Sequence, residues 1–137
     1  MNTLNSLLGR LGLSAIFIIS GLGKIAAYAG TQQYMAVAGV PGFLLPLVIL
    51  TELGGGLFIL AGAFTRATAV ALALFTVATA VLFHAELADQ NQFIHFLKNI
   101  AIAGGFLTLA ANGAGPISID ALRRKTRAAG TPNPVIA

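Results

Sequence analysis

Four long apolar stretches, residues 4–27, 43–64, 67–85 and 93–111, constrain this chain more than any other feature of its sequence. Each is close to the roughly 20 residues that a helix needs to cross a bilayer. Because 9% of the 137 residues are charged and 57% are hydrophobic, the chain has too little polar side chain for the surface of a water-soluble domain. The sequence therefore predicts an all-α membrane protein, a four-transmembrane-helix bundle within one domain of residues 1–120.

Basic residues lie beside alternate connections between these stretches. Arg66 lies between the second and third stretches, and a cluster follows the fourth: Arg123, Arg124, Lys125 and Arg127. The positive-inside rule therefore predicts that the N-terminus and the C-terminus are both cytoplasmic. Residues 121–137 are predicted to form a basic, disordered cytoplasmic tail, and its basic cluster is expected to contact anionic membrane lipids. No nucleic acid partner is expected, because the basic cluster has no interleaved aromatic residues.

The chemistry available to the chain is restricted by what its sequence lacks. It contains no cysteine, which excludes a disulfide, a CxxC redox pair and thiolate ligation within the chain. It also has no nucleophile elbow, phosphate loop or dinucleotide fingerprint, because its glycines fall inside apolar helices with no strand before them. Any redox activity would therefore use a bound cofactor or a partner.

Ionisable residues at membrane depth are the candidates for function, since each costs several kcal/mol unless it pairs or faces water. They are Arg10, Lys24, Glu52, His84, His95 and Lys98. Glu52 lies ten residues past Gly42, so at about 1.5 Å per residue it sits close to the midplane. Lys98 lies about 7 Å below the outer boundary, and its long stem makes it our first choice as the ion-pair partner of Glu52. The pattern predicts a site in the outer half, with Glu52 as its floor.

Each of these residues also has a structural interpretation. Lys24 and Lys98 are long enough to extend to the headgroups, and Arg10 fits a cytoplasmic anchor. His84 and His95 suit interfacial hydrogen bonds, and their spacing from the nearby acidic residues matches no known metal site, so no metal is expected. The midplane carboxylate cannot reach the surface, but an ion pair that only holds helices together would satisfy it.

Several separated segments carry a further signal: residues 10–13 (RLGL), 20–24 (SGLGK), 52–56 (ELGGG), 65–84, 98–105 and 115–120 (GPISID). In this order they resemble the DoxX family of small bacterial inner-membrane proteins, over about residues 7–120. The resemblance implies a multi-pass four-helix bundle in the bacterial inner membrane and an association with quinone-linked oxidoreduction. Relatives include a membrane subunit of a thiosulfate:quinone oxidoreductase. The family's recurring polar positions match Arg10, Lys24, Glu52, Arg66, His84, Lys98 and Asn99 here.

The leading hypothesis is a quinone-interacting membrane protein, either an oxidoreductase or the membrane subunit of one, with quinone as its cofactor. Lys98 or His84 would donate to a quinone carbonyl and Glu52 would carry a proton, so these three are the catalytic candidates. The candidate binding residues are Lys24, Asn99, Arg10 and His95. A redox partner subunit or a diffusible donor would supply the electrons, because no cofactor motif is visible.

Two other functions fit the same residues. A midplane carboxylate is typical of proton-coupled pathways, which would make the chain a small-solute permease working as a homo-oligomer. Alternatively, the chain is a non-catalytic assembly partner in the membrane, and its polar residues only fix the register of its helices.

Overall fold

The computed structural model describes residues 3–130, and within that range it contains helices and connections but no strand. Four helical segments are long and apolar enough to cross a membrane: Thr3–Ala26, Gly42–Ala61, Thr65–Phe83 and Gln90–Asn112. They coincide with the four apolar stretches of the sequence to within a few residues. The predicted all-α class with four membrane spans is therefore confirmed.

Three of these spans are single helices and the second span is composite. The α-helices are α1 (Thr3–Ala26), α2 (Tyr28–Val37), α3 (Leu45–Ile49), α4 (Gly55–Ala61), α5 (Thr65–Phe83), α6 (Gln90–Asn112) and α7 (Ile119–Ala129). The second span begins with a 3-10 turn, Gly42–Leu44, and α3 then leads through a π-helical turn, Leu50–Gly54, into α4. Pro46 lies in the first turn of α3, where its missing N–H costs no helical hydrogen bond.

A buried apolar core at mid-depth holds the spans together. Phe17 of α1 packs edge-on against Phe106 of α6, with ring centroids 5.3 Å apart, and Leu72 and Ile59 are buried beside them. Gly56 lets α1 approach the second span, because a Cβ there would lie 2.9 Å from the Ile18 side chain. Small residues at such contacts are the usual way in which helices associate in lipid.

The two ends of the bundle differ. The basic end carries Arg10, Arg66 and α7. The opposite end, the cavity end, is formed by α2 and the connection 84–89 and contains a cavity. Exposed apolar side chains surround the bundle between the ends, and Ile19 and Leu74 are among the most exposed. Such a surface is suited to lipid rather than water.

Helix α7 corrects part of the prediction for the C-terminal tail. The segment 121–137 is expected to be disordered, but the structure has a regular helix over Ile119–Ala129. It forms because the Ser118 hydroxyl accepts a hydrogen bond from the Ala121 N–H at 3.1 Å, which caps the first turn, and because Ala121 is buried. The disorder expected of residues 131–137 lies outside the described part of the chain.

Candidate functional site

An ion pair between Lys24 and Glu52 lies at the centre of the candidate site. The Lys24 Nζ is 2.9 Å from Glu52 Oε2 and 3.1 Å from Oε1, and it also donates to the Ser20 hydroxyl at 2.7 Å. The Glu52 side chain is 8% exposed and that of Lys24 is 26% exposed. The carboxylate is thus almost fully enclosed, whereas the ammonium group keeps one open side.

A π-helical turn positions Glu52. The residue lies in the middle of Leu50–Gly54, where the second span is wider than an ordinary α-helix. Directly across from it, Gly21 of α1 packs against Leu53, and a Cβ on Gly21 would be 3.1 Å from the Leu53 backbone nitrogen. This close approach brings the carboxylate within reach of Lys24, one turn further along α1. Single π-helical turns within α-helices often occur at functional sites.

The ion pair forms one wall of a cavity of about 380 Å³ at the cavity end of the bundle. Its polar lining consists of Ser20, Lys24, Thr31, Tyr34, Glu52, Thr79, His84 and Asn99, and all the remaining lining residues are apolar. Helix α2 covers it, with Tyr34 stacked on Phe83 at a ring-centroid distance of 5.3 Å. A mostly apolar cavity with a few convergent polar groups is the usual form of a small-molecule site.

A second, smaller cavity adjoins the first. It measures about 110 Å³ and shares Ser20, Glu52, Phe75, Thr79 and Asn99 with the larger cavity. It extends between α1 and α6 as far as Ile16 and Ile102. Ile16 is exposed on the lipid-facing surface. The two cavities therefore extend from Glu52 both to the cavity end and towards the side of the bundle.

Two histidines lie beside the mouth of the larger cavity. The rings of His84 and His95 stack with centroids 5.1 Å apart, but only His84 lines the cavity. The Nδ1 atom of His84 is 2.7 Å from Gln92 Oε1, a distance at which Nδ1 donates to the amide oxygen when that nitrogen carries the proton. Asp89 caps α6 by accepting from the Gln92 N–H, which fixes this contact. Sequence reasoning missed Gln92, because it is one of three consecutive amide residues at the start of α6 and no pattern distinguishes it from the other two.

The prediction that Lys98 pairs with Glu52 is wrong, and Lys24 takes its place. Lys98 is exposed and does not line the cavity, whereas its neighbour Asn99 does. Successive residues on a helix point about 100° apart, so a correct depth on α6 does not ensure the correct direction. Lys24, His84 and Asn99 therefore converge with Glu52, while His95 contacts the site only through His84.

Arg10 lies away from this site, at the basic end, and it does not behave as an exposed anchor. The residue is 2% exposed, and its Nη2 donates to the Ile117 carbonyl at 2.7 Å. The guanidinium occupies the space beside Gly62, which has a φ of +67° and no side chain to collide with it. One turn before it on α1, the Ser6 hydroxyl donates to the Ala114 carbonyl at 2.9 Å. Arg10 thus fastens α1 to the connection that follows α6.

Asp120 links the start of α7 to the start of α5 at the basic end. Sequence reasoning gave this residue no separate role. Its two carboxylate oxygens accept from the backbone N–H groups of Phe64 and Thr65, each at 2.9 Å, and so cap α5. Burial by itself raises the pKa of Asp120, but these hydrogen bonds and the nearby Arg123 outweigh it and hold that pKa below its ordinary value. The available signal was the SID sequence after a Gly-Pro pair, a typical helix start.

The fold and the site together define a small helical membrane protein that crosses the bilayer several times and holds a buried ion pair beside a cavity. The DoxX family matches residues 6–85, and the chain belongs to that family. Inner membrane protein YqjF of Escherichia coli (strain K12) is 55% identical over 119 residues, which are 87% of this chain and 92% of YqjF. Inner membrane protein YphA of the same organism is 39% identical over 122 residues, covering 83% of this chain and 86% of YphA.

A more distant relative is CatD of Bacillus subtilis (strain 168), whose name proposes an oxidoreductase. It is 34% identical over 71 residues, about half of each chain at 52% and 53%. No solved structure matches the chain. With its four candidate spans and its inner-membrane relatives, the chain is a multi-pass inner membrane protein.

Proposed function

We propose that the chain binds the headgroup of a quinone in the cavity beside the Lys24–Glu52 pair, either as an oxidoreductase or as the membrane subunit of one. The observation that carries this proposal is the enclosed ion pair on the wall of a mostly apolar cavity of about 380 Å³. A quinone ring needs an apolar slot and one or two donors at its carbonyl oxygens. The oxidoreductase name of CatD, and the family resemblance itself, favour this class of function.

Each residue has a distinct part in the proposed chemistry. The ammonium of Lys24 has an open side and would donate to one carbonyl, and Asn99, which lines the same cavity, would make a second contact. Reduction of a quinone to a quinol takes up two electrons and two protons. Glu52 would carry one of these protons to the ring oxygen held by Lys24, and His84, which exchanges protons with water outside the cavity, would supply the second proton to the other ring oxygen. The electrons come from a partner subunit or a diffusible donor.

The orientation follows from the charges. With Arg66 and the arginines of α7 on the cytoplasmic side, both termini are cytoplasmic and the cavity end faces the periplasm. The mouth with His84 and His95 is then the side on which protons are exchanged.

Permeation is less well supported by the same geometry. The buried cluster around Phe17, Leu72 and Phe106 lies between the cavity and Arg10, and the cavity beside Glu52 shares no lining residue with the cavity beside Arg10. A solute would have to displace this packing. We therefore prefer a ligand that enters the cavity and leaves by the same side.

The decisive experiment measures binding of a short-chain ubiquinone to the purified protein in neutral detergent by isothermal titration calorimetry. We expect saturable binding by the wild type and a loss of about tenfold or more for Lys24→Met and for Glu52→Gln, since each removes a charge-assisted contact. Lys98→Met is the matched control, because it removes the same group from an exposed position outside the cavity, and its affinity should be unchanged. Absence of saturable binding by the wild type, or an equal loss in Lys98→Met, would contradict the proposal.

A further inference from the structure

A concave basic surface lies at the basic end of the bundle, between the first turn of α5 and α7. We call it the arginine cleft, and its charged lining consists of Arg66, Asp120, Arg123, Arg124 and Arg127. The cleft has a volume of about 400 Å³. Arg66 reaches it from a position 57 residues before Arg123 in the chain, so the cleft is a product of the fold rather than of one basic segment.

The acidic residue that lines the cleft, Asp120, already accepts hydrogen bonds from the backbone. Both carboxylate oxygens of Asp120 accept backbone N–H groups of α5 at 2.9 Å. Arg123 lies over the ring of Phe64, with its guanidinium carbon 4.4 Å from the ring centroid. Within residues 3–130, neither Arg66 nor Arg124 makes a hydrogen bond or an ion pair. Two guanidinium groups in one concave surface therefore have free donors.

Apolar surface borders the cleft on the side of the bilayer. The span of α5 begins at Thr65 and the span of α6 ends at Asn112, so the cleft lies at the level where the membrane ends. Phe64, which lines the cleft beneath Arg123, is 57% exposed, and Leu122, which precedes Arg123 on α7, is 64% exposed. A ligand that fits this surface has an anionic group for the cleft and hydrocarbon for its apolar border.

We propose that the arginine cleft binds the headgroup of an anionic phospholipid, with the phosphate between Arg66 and Arg124 and the acyl chains along Phe64 and Leu122. Guanidinium groups donate two parallel hydrogen bonds to phosphate, which makes such contacts both strong and directional. A zwitterionic headgroup carries an amine that the arginines repel, so phosphatidylglycerol should bind more tightly than phosphatidylethanolamine. This site is independent of the quinone cavity at the other end.

The experiment titrates the delipidated full chain, in neutral detergent at physiological salt, with phosphatidylglycerol, with phosphatidylethanolamine and with inorganic phosphate, and reads lipid binding by native mass spectrometry. Arg66→Gln and Arg124→Gln should each lower the affinity for phosphatidylglycerol about tenfold, since each removes charge-assisted hydrogen bonds. Lys125→Gln is the matched control: it removes one positive charge from the same helix but does not line the cleft. Its loss should stay below about twofold, because distant charges are screened beyond about 8 Å at this salt concentration.

Three results would overturn the proposal. An equal loss in Lys125→Gln would show a diffuse attraction to the basic helix instead of a site. Equal affinities for the two lipids would show that the headgroup charge is not recognised. Inorganic phosphate that binds as tightly as phosphatidylglycerol would show a free-anion site without a lipid. Circular dichroism of the variants checks that the exposed substitutions leave the fold intact.

Discussion

Helix α1 carries one cation towards each end of the bundle, and the surroundings of these two cations differ. Lys24 at the cavity end faces an oppositely charged partner and an open volume. Arg10, fourteen residues earlier, is more deeply buried, bonds to a backbone carbonyl, and has no carboxylate within hydrogen-bond distance in the described chain. The first arrangement leaves a charged group free to meet a ligand, whereas the second uses it to close a connection. The contacts around a charged residue, rather than its place in a membrane span, therefore determine whether it can bind a ligand or only stabilises the fold.

Separating the cavity pair should have the largest effect. Lys24→Met leaves the Glu52 carboxylate enclosed without a partner, and the loss of one member of such a pair costs about 3 kcal/mol or more of unfolding free energy. The double variant Lys24→Met/Glu52→Gln removes both charges and should regain most of that stability without regaining quinone binding. Thermal unfolding followed by circular dichroism, together with the binding titration, measures both quantities. If the double variant is as unstable as the single one, the pair is not what the cavity end depends on.

Filling the space beside Arg10 tests the basic end in a comparable way. Gly62→Ala adds a Cβ that overlaps the Arg10 guanidinium, and it does so at a φ of +67° that L residues rarely adopt. We expect a loss of about 2 kcal/mol from backbone strain and displaced packing together. Gly104→Ala is its control, because a Cβ there meets nothing within 4 Å, and it should leave the thermal midpoint equal or slightly higher. Similar midpoints for the two variants would rule out the tight packing around Arg10.

Blocking the gap between α1 and α6 separates the headgroup of a ligand from its tail. Ile16→Trp narrows the smaller cavity, so the affinity for a ubiquinone with a long isoprenoid tail should fall about tenfold, while that for a short-chain ubiquinone stays the same. Ile19→Trp, on the same helix but outside both cavities, serves as the control. Equal losses for long and short tails would show that the tail does not leave through this gap. Binding of neither ligand to the wild type would instead count against the quinone site itself.

Acidification should weaken the basic end, because it protonates the carboxylate of Asp120. Because the pKa of Asp120 is lowered in the folded chain, its contribution is present at pH values above the ordinary aspartate value of about 3.9 and is lost as the pH falls through the folded value. Asp120→Asn removes one of two acceptors and should cost about 1 kcal/mol at pH 7. In circular-dichroism melts, the difference from wild type should shrink as the pH falls below the ordinary aspartate value and towards the lowered folded pKa of Asp120. A difference that stays constant over this pH range would mean that the carboxylate charge does not hold the start of α5.

Depth along the membrane could be predicted from the sequence, but direction around each helix could not. The position of Glu52 near mid-depth follows from counting residues into an apolar stretch, and the same count placed Lys24 and His84 in the same half. Choosing between Lys98 and Asn99 needs the rotation of α6, and helices that are apolar on most sides give little sign of which face turns inward. The π-helical turn around Glu52 is equally hidden, since it changes no residue type.

The sequence by itself determined the class, the four spans and the short set of polar residues that hydrocarbon does not tolerate without partners. That follows because transfer of a span into lipid depends on the summed properties of about 20 residues, which composition records directly. Only the tertiary structure decided that Lys24 is the partner of Glu52, that Arg10 closes the opposite end, and that Arg66 meets the arginines of α7. These pairings depend on packing between helices, where one residue of rotation or a single glycine contact changes which side chains meet.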